Sequence, residues 1–191
     1  AMTEERTNEP KTMTFAPSLL HFSLMLAMGT AVIVPAAAAD IQADKSAPKN
    51  QQPTVLNSAN GMTQVNIQTP SAGGVSVNQY RQFDVDSRGA ILNNSRRNTQ
   101  TQLGGWIQGN PWLATGEARV IVNQVNSANP SLLNGYIEVG GRRAEVVLAN
   151  PAGIQVDGGG FINSAGATLT TGLPFIRNGQ LDGIQVAGAG K

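Results

Sequence analysis

Apolar residues in this chain come in short alternating runs that turn residues interrupt. In the stretch 150–172, three such runs (154–156, 161–163 and 167–171) are divided by glycines and by Pro151. Apolar residues do not return every three or four positions, so the stretch has no helical period. Strands this short cannot each bury a face alone, and the pattern therefore predicts a stack of similar coils, a β-solenoid.

The same alternation predicts further strands upstream. The longest is 117–125, and the next pair, 136–139 and 144–149, is joined by 140–143. The stretch 99–105 is polar and loses the alternation, which predicts a loop. Because a first coil has no neighbour on its outer side, we expect the strands before residue 90 that do not belong to the solenoid to cap it. The shorter predicted strands are 55–56, 65–67, 75–77, 83–85 and 90–92, and two of the first three are candidates for a hairpin.

Composition supports an all-β repeat. The chain has 22 glycines, 5% aromatic and only 13% charged residues, against about 25% charged in an average soluble protein. Val, Ile and Leu recur too regularly for a disordered chain. The net charge of +1 gives no electrostatic footprint for nucleic acid, which needs clustered Lys and Arg.

The residue inventory excludes several kinds of site. The chain has no cysteine and a single histidine, His21. Disulfides, thiolate catalysis, Ser-His-Asp triads and zinc sites built on Cys or His are therefore not expected. We predict no enzyme activity, no metal and no cofactor.

The N-terminal segment predicts export. The run 19–34 is largely apolar, and Pro35 and four alanines follow it, as in a secretory signal with cleavage near Ala39. Ala1 and Met2 resemble residues left by cloning. The alternative is an amphipathic or buried N-terminal helix. The predicted organisation is a leader over 1–39, a flexible lead-in over 40–54 and the β-domain over 55–191, which we expect to be part of a longer protein.

Three ordered stretches carry a resemblance to a known family: 77–86, 104–113 and 134–172. Together they resemble the N-terminal secretion (TPS) domain of two-partner-secreted exoproteins, the filamentous haemagglutinin family. The similarity is greatest to contact-dependent growth inhibition effectors and haemagglutinin-like adhesins, and it covers roughly 55–191.

The resemblance implies a right-handed parallel β-helix with an N-terminal β cap and extra-helical strands. It also implies a function: a monomeric domain that targets a large exoprotein, through the periplasm, to a cognate outer-membrane β-barrel transporter with POTRA domains. The product then lies at the surface of a Gram-negative bacterium or outside it. The missing C-terminal part would be a toxin, an adhesin or a cytolysin.

Two Asn-Pro motifs mark the family and supply the candidate secretion site. The first often reads Asn-Pro-Asn-Leu in the family and the second Asn-Pro-Asn-Gly-Ile, so the third position differs here in both. Two readings stay open: the motifs contact the transporter, or they only shape turns. The candidate residues are Asn110, Pro111, Trp112, Leu113, Asn150, Pro151, Ala152, Gly153 and Ile154.

Two other functions remain as alternatives. An adhesin would present Trp106, Trp112 and Tyr136 to a glycan, although aromatic residues of this kind more often cover the end of a core. A polysaccharide-degrading β-helix enzyme would need paired carboxylates. The candidate acids are Asp84, Asp86, Asp157 and Asp182. Asn163 and Asn178 either bridge coils through their side chains or adopt left-handed turn conformations.

Overall fold

The computed structural model describes residues 39–185, and within that range it consists of strands and two short 3₁₀ turns. The strands are β1 (Ile41–Ala43), β2 (Thr54–Asn57), β3 (Thr63–Asn66), β4 (Val75–Phe83), β5 (Ala90–Asn94), β6 (Thr99–Thr101), β7 (Gly105–Ile107), β8 (Val120–Val125), β9 (Ser131–Leu133), β10 (Ile137–Gly141), β11 (Ala144–Ala149), β12 (Ile154–Val156), β13 (Phe161–Ile162), β14 (Ser164–Thr170), β15 (Leu173–Arg177) and β16 (Gln180–Gln185). The 3₁₀ turns are η1 (Lys49–Gln51) and η2 (Pro111–Leu113). The predicted leader over 1–39 lies outside these residues except for Ala39.

Three parallel ladders form the faces of a β-helix. The first face contains β4, β8, β11 and β14, and the second contains β3, β5, β10 and β13. The third face pairs β9 with β12, and Val85 bridges to Leu133 on the same side. The chain passes the second, first and third faces in turn, so that each circuit is one coil. The parallel β-helix predicted from the resemblance is thus confirmed.

We number the coils in chain order. Coil 1 is β3, β4 and Val85; coil 2 is β5, β8 and β9; coil 3 is β10, β11 and β12; coil 4 is β13 and β14. The register joins Ala90 to Ile137 and Ile137 to Phe161, so equivalent positions of successive coils stack. Each coil hydrogen-bonds only to its neighbours along the stack, as expected for a solenoid.

The core fills the interior of the coils. In β11, Ala144, Val146 and Leu148 point inward into the main cluster, as the alternation predicts. Val147 points outward and packs in a second cluster. The prediction that β10 and β11 form a pair is wrong, because these strands belong to different faces and 140–143 is the corner between them. The largest buried side chains of the interior are Tyr80, Phe83, Ile67, Leu92, Leu113, Ile121, Ile137 and Leu148.

Two strands close the N-terminal end of the stack. β1 pairs antiparallel with β4, and β2 pairs antiparallel with β3, as the candidate hairpin predicts. These strands are the cap, whereas β3 and β4, which also precede residue 90, belong to coil 1. Of the strands before residue 90, β1 and β2 are thus the non-solenoid strands that were expected to form the cap.

The stretch 40–54 differs from the flexible lead-in that its composition predicts. It contains β1, and Ile41, Asp44 and Ala47 are buried. The physical reason is that the backbone N–H and C=O groups at the edge of β4 need hydrogen-bond partners. β1 supplies these partners, and the polar composition of 40–54 gives no sign of this pairing.

Two hairpins lie outside the helix. The first, β6–β7, leaves the second face between β5 and β8, in the stretch 99–105 that the polar composition predicts as a loop. The buried carboxylate of Glu138 holds it, since Oε2 accepts from Gln102 N and Oε1 accepts from Leu103 N, each at 2.8 Å. A long-range acceptor, and not local alternation, therefore orders this hairpin.

The second hairpin, β15–β16, covers the outer side of the first face. Ile176 and Leu181 pack on Val75, Val120, Val122 and Val147, which come from coils 1, 2 and 3. Its turn is Asn178-Gly179, with φ of 50° and 70°, the left-handed pair that a two-residue hairpin turn requires. Outward-facing valines in β8 and β11 thus find a partner outside the helix.

Candidate functional site: two Asn-Pro turns

The first Asn-Pro motif begins the 3₁₀ turn η2. Asn110 is 2% exposed, and its Oδ1 accepts from Trp112 N at 3.0 Å while its carbonyl accepts from Leu113 N at 3.2 Å. Pro111 occupies the first position of the turn, where a missing N–H costs nothing. The side-chain oxygen of Asn110 closes the turn, and its side-chain NH₂ group donates to other segments.

The Asn110 amide ties this turn to two coils. Its Nδ2 donates to Ile67 O at 2.9 Å, just beyond β3 in coil 1, and to Asn93 O at 3.0 Å in coil 2. Its backbone N–H donates to Ser95 O at 2.7 Å. Every polar group of Asn110 is therefore occupied within the protein.

The second motif has the same internal geometry. Asn150 is fully buried, its Oδ1 accepts from Ala152 N at 2.9 Å and its carbonyl accepts from Gly153 N at 3.0 Å. Its Nδ2 donates to Asn129 O at 2.9 Å and Ser131 Oγ at 3.0 Å in coil 2. Its backbone N–H donates to Thr170 O at 2.9 Å in coil 4. Asn150 thus links coils 2, 3 and 4.

The remaining motif residues divide by exposure. Pro111, Trp112, Pro151 and Ala152 are exposed, Leu113 is buried in the core, and Gly153 and Ile154 are intermediate. Gly153 has φ of +118°, in the left-handed range that favours glycine. The motif residues do not form one continuous site, because one turn joins β5 to β8 and the other joins β11 to β12.

Further buried asparagines bridge the coils at positions that the sequence analysis did not single out. Asn93 Nδ2 donates to Asn66 Oδ1 at 3.0 Å, and Asn94 Nδ2 donates to Ala118 O and Arg142 O at 2.9 Å. Asn123 Oδ1 accepts the Tyr80 hydroxyl at 2.8 Å, and burial raises the pKa of Tyr80. The sequence signal that could have identified these residues is an asparagine within an apolar alternation, such as Asn123 between Ile121 and Val125.

Asn163 both adopts a left-handed turn conformation and bridges two coils, whereas Asn178 adopts the turn conformation. Asn163 has φ of 56°, and its Nδ2 donates to Val139 O at 2.7 Å and Gly141 O at 2.9 Å in the preceding coil. Asn178 has φ of 50° at the tip of β15–β16. The left-handed turn conformation is therefore common to both, and the bridge to a neighbouring coil belongs to Asn163.

The aromatic candidates are not covered by the core. Trp106 is 67% exposed, Tyr136 48% and Trp112 42%. The favoured expectation was packing on the core or the cap, from which the exposed Trp106 and Tyr136 depart, whereas Trp112 contacts the cap strand β2. Trp106 lies on β7, which stands outside the helix, and Trp112 lies on η2, where its indole Nε1–H donates to Thr54 Oγ1 at 3.1 Å.

Of the candidate acids of an enzyme, Asp84 and Asp86 line one pocket together with Asp40, whereas Asp157 and Asp182 do not line it. Asp84 Oδ1 accepts from Leu132 N at 2.8 Å, Asp86 pairs with Arg88 at 3.3 Å and Asp182 pairs with Arg177 at 3.5 Å. Across residues 39–185, no three Asp, Glu or His side chains are grouped as a metal site. Over the same residues, no helix has the length and apolar character to span a membrane.

A family comparison decides the assignment. The model of the family described as TPS secretion domain matches residues 39–190, which include every coil and both Asn-Pro turns. The chain belongs to the TPS secretion domain family. The domain therefore acts in two-partner secretion.

Relatives of this secretion domain support the same assignment. It is 63% identical to "Toxin CdiA" of Yersinia pestis over 171 residues, 90% of this chain and 5% of that protein. It is 57% identical to "tRNA nuclease CdiA-2" of Burkholderia pseudomallei (strain 1026b) over 136 residues, 70% of this chain and 4% of that protein. The secretion domain thus spans about a twentieth of the length of these relatives, and the nuclease name belongs to the relative as a whole.

A solved structure shares the fold. The crystal structure of the filamentous hemagglutinin secretion domain aligns with a TM-score of 0.66 and 35% identity, over 73% of this chain and 44% of that one. The region matched here is a secretion domain and not a catalytic one. The resemblance drawn from the three sequence stretches is confirmed.

Proposed function

We propose that residues 39–190 direct a longer exoprotein to an outer-membrane β-barrel transporter whose periplasmic POTRA domains receive it. The observation that carries this proposal is the family match over 39–190. Binding in the periplasm uses an extended segment of the chain, because backbone hydrogen bonds of an added strand supply affinity without a preformed pocket.

The route follows from the topology. The leader over 1–39 takes the chain to the periplasm, and the chain threads the transporter unfolded. Each coil pairs only with its neighbours along the stack, so coils form one after another as residues emerge outside the cell. Folding on the far side then biases movement outward. The chain has no cysteine, so no premature disulfide holds a loop closed on the way.

Export is tested with and without the transporter. The full chain is produced in a Gram-negative host together with the outer-membrane transporter encoded beside its gene. We expect the protein in the medium or at the surface only when that transporter is present. Equal export without it would contradict the proposal. Light scattering on the exported protein tests the further proposal that this domain is monomeric.

We propose that the two Asn-Pro motifs act in export by forming turns. Asn110 and Asn150 are buried and their polar groups are occupied within the protein. A direct contact with the transporter by the folded domain would have to use the exposed residues, Pro111, Trp112, Pro151 and Ala152.

The double variant Asn150→Ala/Pro151→Ala distinguishes turn formation from contact. We expect export and folded stability to fall together. The matched control is Asn129→Ala/Pro130→Ala, which changes a third Asn-Pro pair whose residues are exposed, and we expect neither quantity to change. Lost export at unchanged stability of the first variant would refute the turn-only role.

We propose that the complete protein is a contact-dependent growth inhibition effector. The support is the identity of 63% to a protein named toxin CdiA and of 42% to "16S rRNA endonuclease CdiA" of Enterobacter cloacae. Sequencing the gene beyond residue 191 tests this, because a region that encodes a toxin domain is expected there. An adhesin-like repeat region without such a domain would contradict it.

A further inference from the structure

A groove opens at the capped end of the β-helix. Its walls are β1 and β2, and Trp112 of η2 closes one side. The residues that line it come from chain segments between Gln42 and Trp112, so the groove exists only when coil 1, the cap and the first Asn-Pro turn have folded.

The charge of the groove is positive. Lys45, Lys49 and Arg81 line it, and no Asp or Glu does. Neither of the two ion pairs within residues 39–185 involves these cations. Hydrogen bonds from Ser46 and Asn126, and to a smaller extent the charge of Arg81, lower the pKa of Asp44. The Asp44 carboxylate is turned to Ser46 and Asn126 and does not line the groove. Three cations therefore face a space without a protein anion.

Trp112 is held as a rigid platform beside these cations. Its indole Nε1–H donates to Thr54 Oγ1 at 3.1 Å, its backbone N–H donates to Asn110 Oδ1 at 3.0 Å, and its carbonyl accepts from Thr69 Oγ1 at 2.7 Å. The ring is nevertheless 42% exposed. An indole face carries partial negative charge and attracts the polarised C–H groups of a sugar ring, and a ring fixed in advance loses little entropy on binding.

Glutamine amides complete the lining. Gln52 Nε2 donates to Ala47 O at 2.6 Å and to Lys45 O at 3.1 Å, and Gln68 Nε2 donates to Gln52 O. The amide N–H groups are thus engaged inside the domain, and within residues 39–185 the Oε1 atoms have no such partner. Amide oxygens accept hydrogen bonds from hydroxyl groups, which a sugar offers in number.

The edges of the groove are poorly suited to adding a protein strand. β2 has only four residues and follows Pro53, which has no N–H, and β1 has three residues with an irregular register. Short edges with proline are the usual means of preventing strand addition. A ligand of this groove is therefore recognised through side chains.

We propose that this groove binds an acidic saccharide, with its carboxylate or phosphate on Lys45, Lys49 and Arg81 and a sugar ring against Trp112. This is a function of the folded domain after export and is independent of its role in reaching the transporter. Binding is measured on the purified chain, so failure of either proposal does not decide the other.

The test is a saccharide array in which uronic-acid, sialylated and phosphorylated oligosaccharides are each paired with a neutral counterpart. We expect at least one acidic class to bind, about tenfold more tightly than its neutral partner and more weakly as salt rises. Binding of no acidic saccharide, or equal binding of the neutral forms, would overturn the proposal. So would binding of acidic peptides alone.

Variants separate the groove from general surface charge. Lys45→Gln/Lys49→Gln and Trp112→Ala should each weaken binding by about tenfold or more. The matched controls are Arg142→Gln and Trp106→Ala, which change an exposed cation and an exposed indole outside the groove. Equal loss in the controls would overturn the proposal. Trp112→Phe keeps an aromatic face, and it should retain more binding than Trp112→Ala at unchanged thermal stability.

Discussion

The two Asn-Pro turns of this domain are internally alike and differ in what surrounds them. In both, the Asn side chain accepts from the N–H two residues on, and its carbonyl accepts from the N–H three residues on. The first turn is followed by a buried Leu113 and the second by Gly153 at a positive φ. One motif thus serves two connections of different length.

The comparison teaches which positions of the motif carry structure. The Asn of each turn is buried and donates to two oxygens of other segments, whereas the third residue, Trp112 or Ala152, is exposed. Departure from the family pattern at the third position is therefore compatible with an intact turn. The Asn determines the turn, and the third residue determines what the surface presents.

Removal of the buried asparagines is expected to have the largest effect on the stability of the two turns. Asn110→Ala and Asn150→Ala each leave two oxygens without their donor, and we expect each to lower the free energy of unfolding by about 2–4 kcal/mol. Denaturant unfolding of the purified chain measures the loss. A loss at one site only would show that the turns are not equivalent.

The variant Asn→Asp refines this first prediction. Aspartate keeps the acceptor that closes each turn but turns a buried carboxylate oxygen towards the two oxygens that Nδ2 served, so it should lower the free energy of unfolding at least as much as alanine does. Asn129→Ala, at an exposed asparagine, is the control and should change the free energy of unfolding by less than about 0.5 kcal/mol.

The second prediction concerns the feature that only one turn has. Gly153→Ala places a side chain at φ of +118°, and we expect a loss of about 1–2 kcal/mol in unfolding free energy. Gly166→Ala is the matched control, because Gly166 lacks a positive φ and an added Cβ would lie 3.9 Å from Glu145 Cγ. Equal effects of the two changes would contradict a conformational cause.

A carboxylate also links the cap to coil 2. Asp44 accepts from Ser46 Oγ at 2.6 Å, from Ser46 N at 2.9 Å and from Asn126 Nδ2 at 3.1 Å, and these bonds hold its pKa below the usual value. A lowered pKa in the folded state stabilises the protein at pH values above the unfolded pKa of about 3.9, and this stabilisation is lost as pH falls through the folded pKa.

Asp44→Asn tests this pH dependence. We expect the difference in stability between the native chain and the variant to be constant from about pH 7 to pH 5 and to shrink below about pH 4. Thermal unfolding as a function of pH measures it. A difference that grows on acidification would give the wrong sign, whereas Asn110→Ala, which removes no charge, should show no such trend.

Exchange of the exposed third residues should have the smallest effect. Ala152→Trp adds an exposed ring, and we expect a change in unfolding free energy within about 0.5 kcal/mol. Trp112→Ala loses the bond to Thr54, and we expect a loss of about 1 kcal/mol at most. Far-ultraviolet circular dichroism and melting temperature measure both. A large loss of stability at either position would show that the third residue also stabilises the turn.

Alternation along the strands predicted the coils because inward positions recur with a period of two. Ala144, Val146 and Leu148 were assigned to one face from this period alone, and they are core residues. The period does not reveal which strand pairs with which, and 136–139 and 144–149 were joined as a pair although they lie on different faces. In a β-helix the partners are a full coil away, beyond the reach of a local pattern.

The segments whose strands the sequence did not predict are held by long-range contacts. β1 pairs with β4, and β6–β7 is ordered by the carboxylate of Glu138. At the candidate site, the resemblance identified both Asn-Pro motifs. Burial of Asn110 and Asn150 and exposure of Trp112 required coordinates, because they depend on which coil lies opposite each turn.

The hairpin β15–β16 is the C-terminal part of the described chain, yet it rests on valines from coils 1, 2 and 3, and Ser71 Oγ donates to Gly179 O at 2.6 Å. This contact can form only after all three coils have folded. Once formed, the hairpin holds the three coils together, and no coil can unfold from the first face until the hairpin has detached.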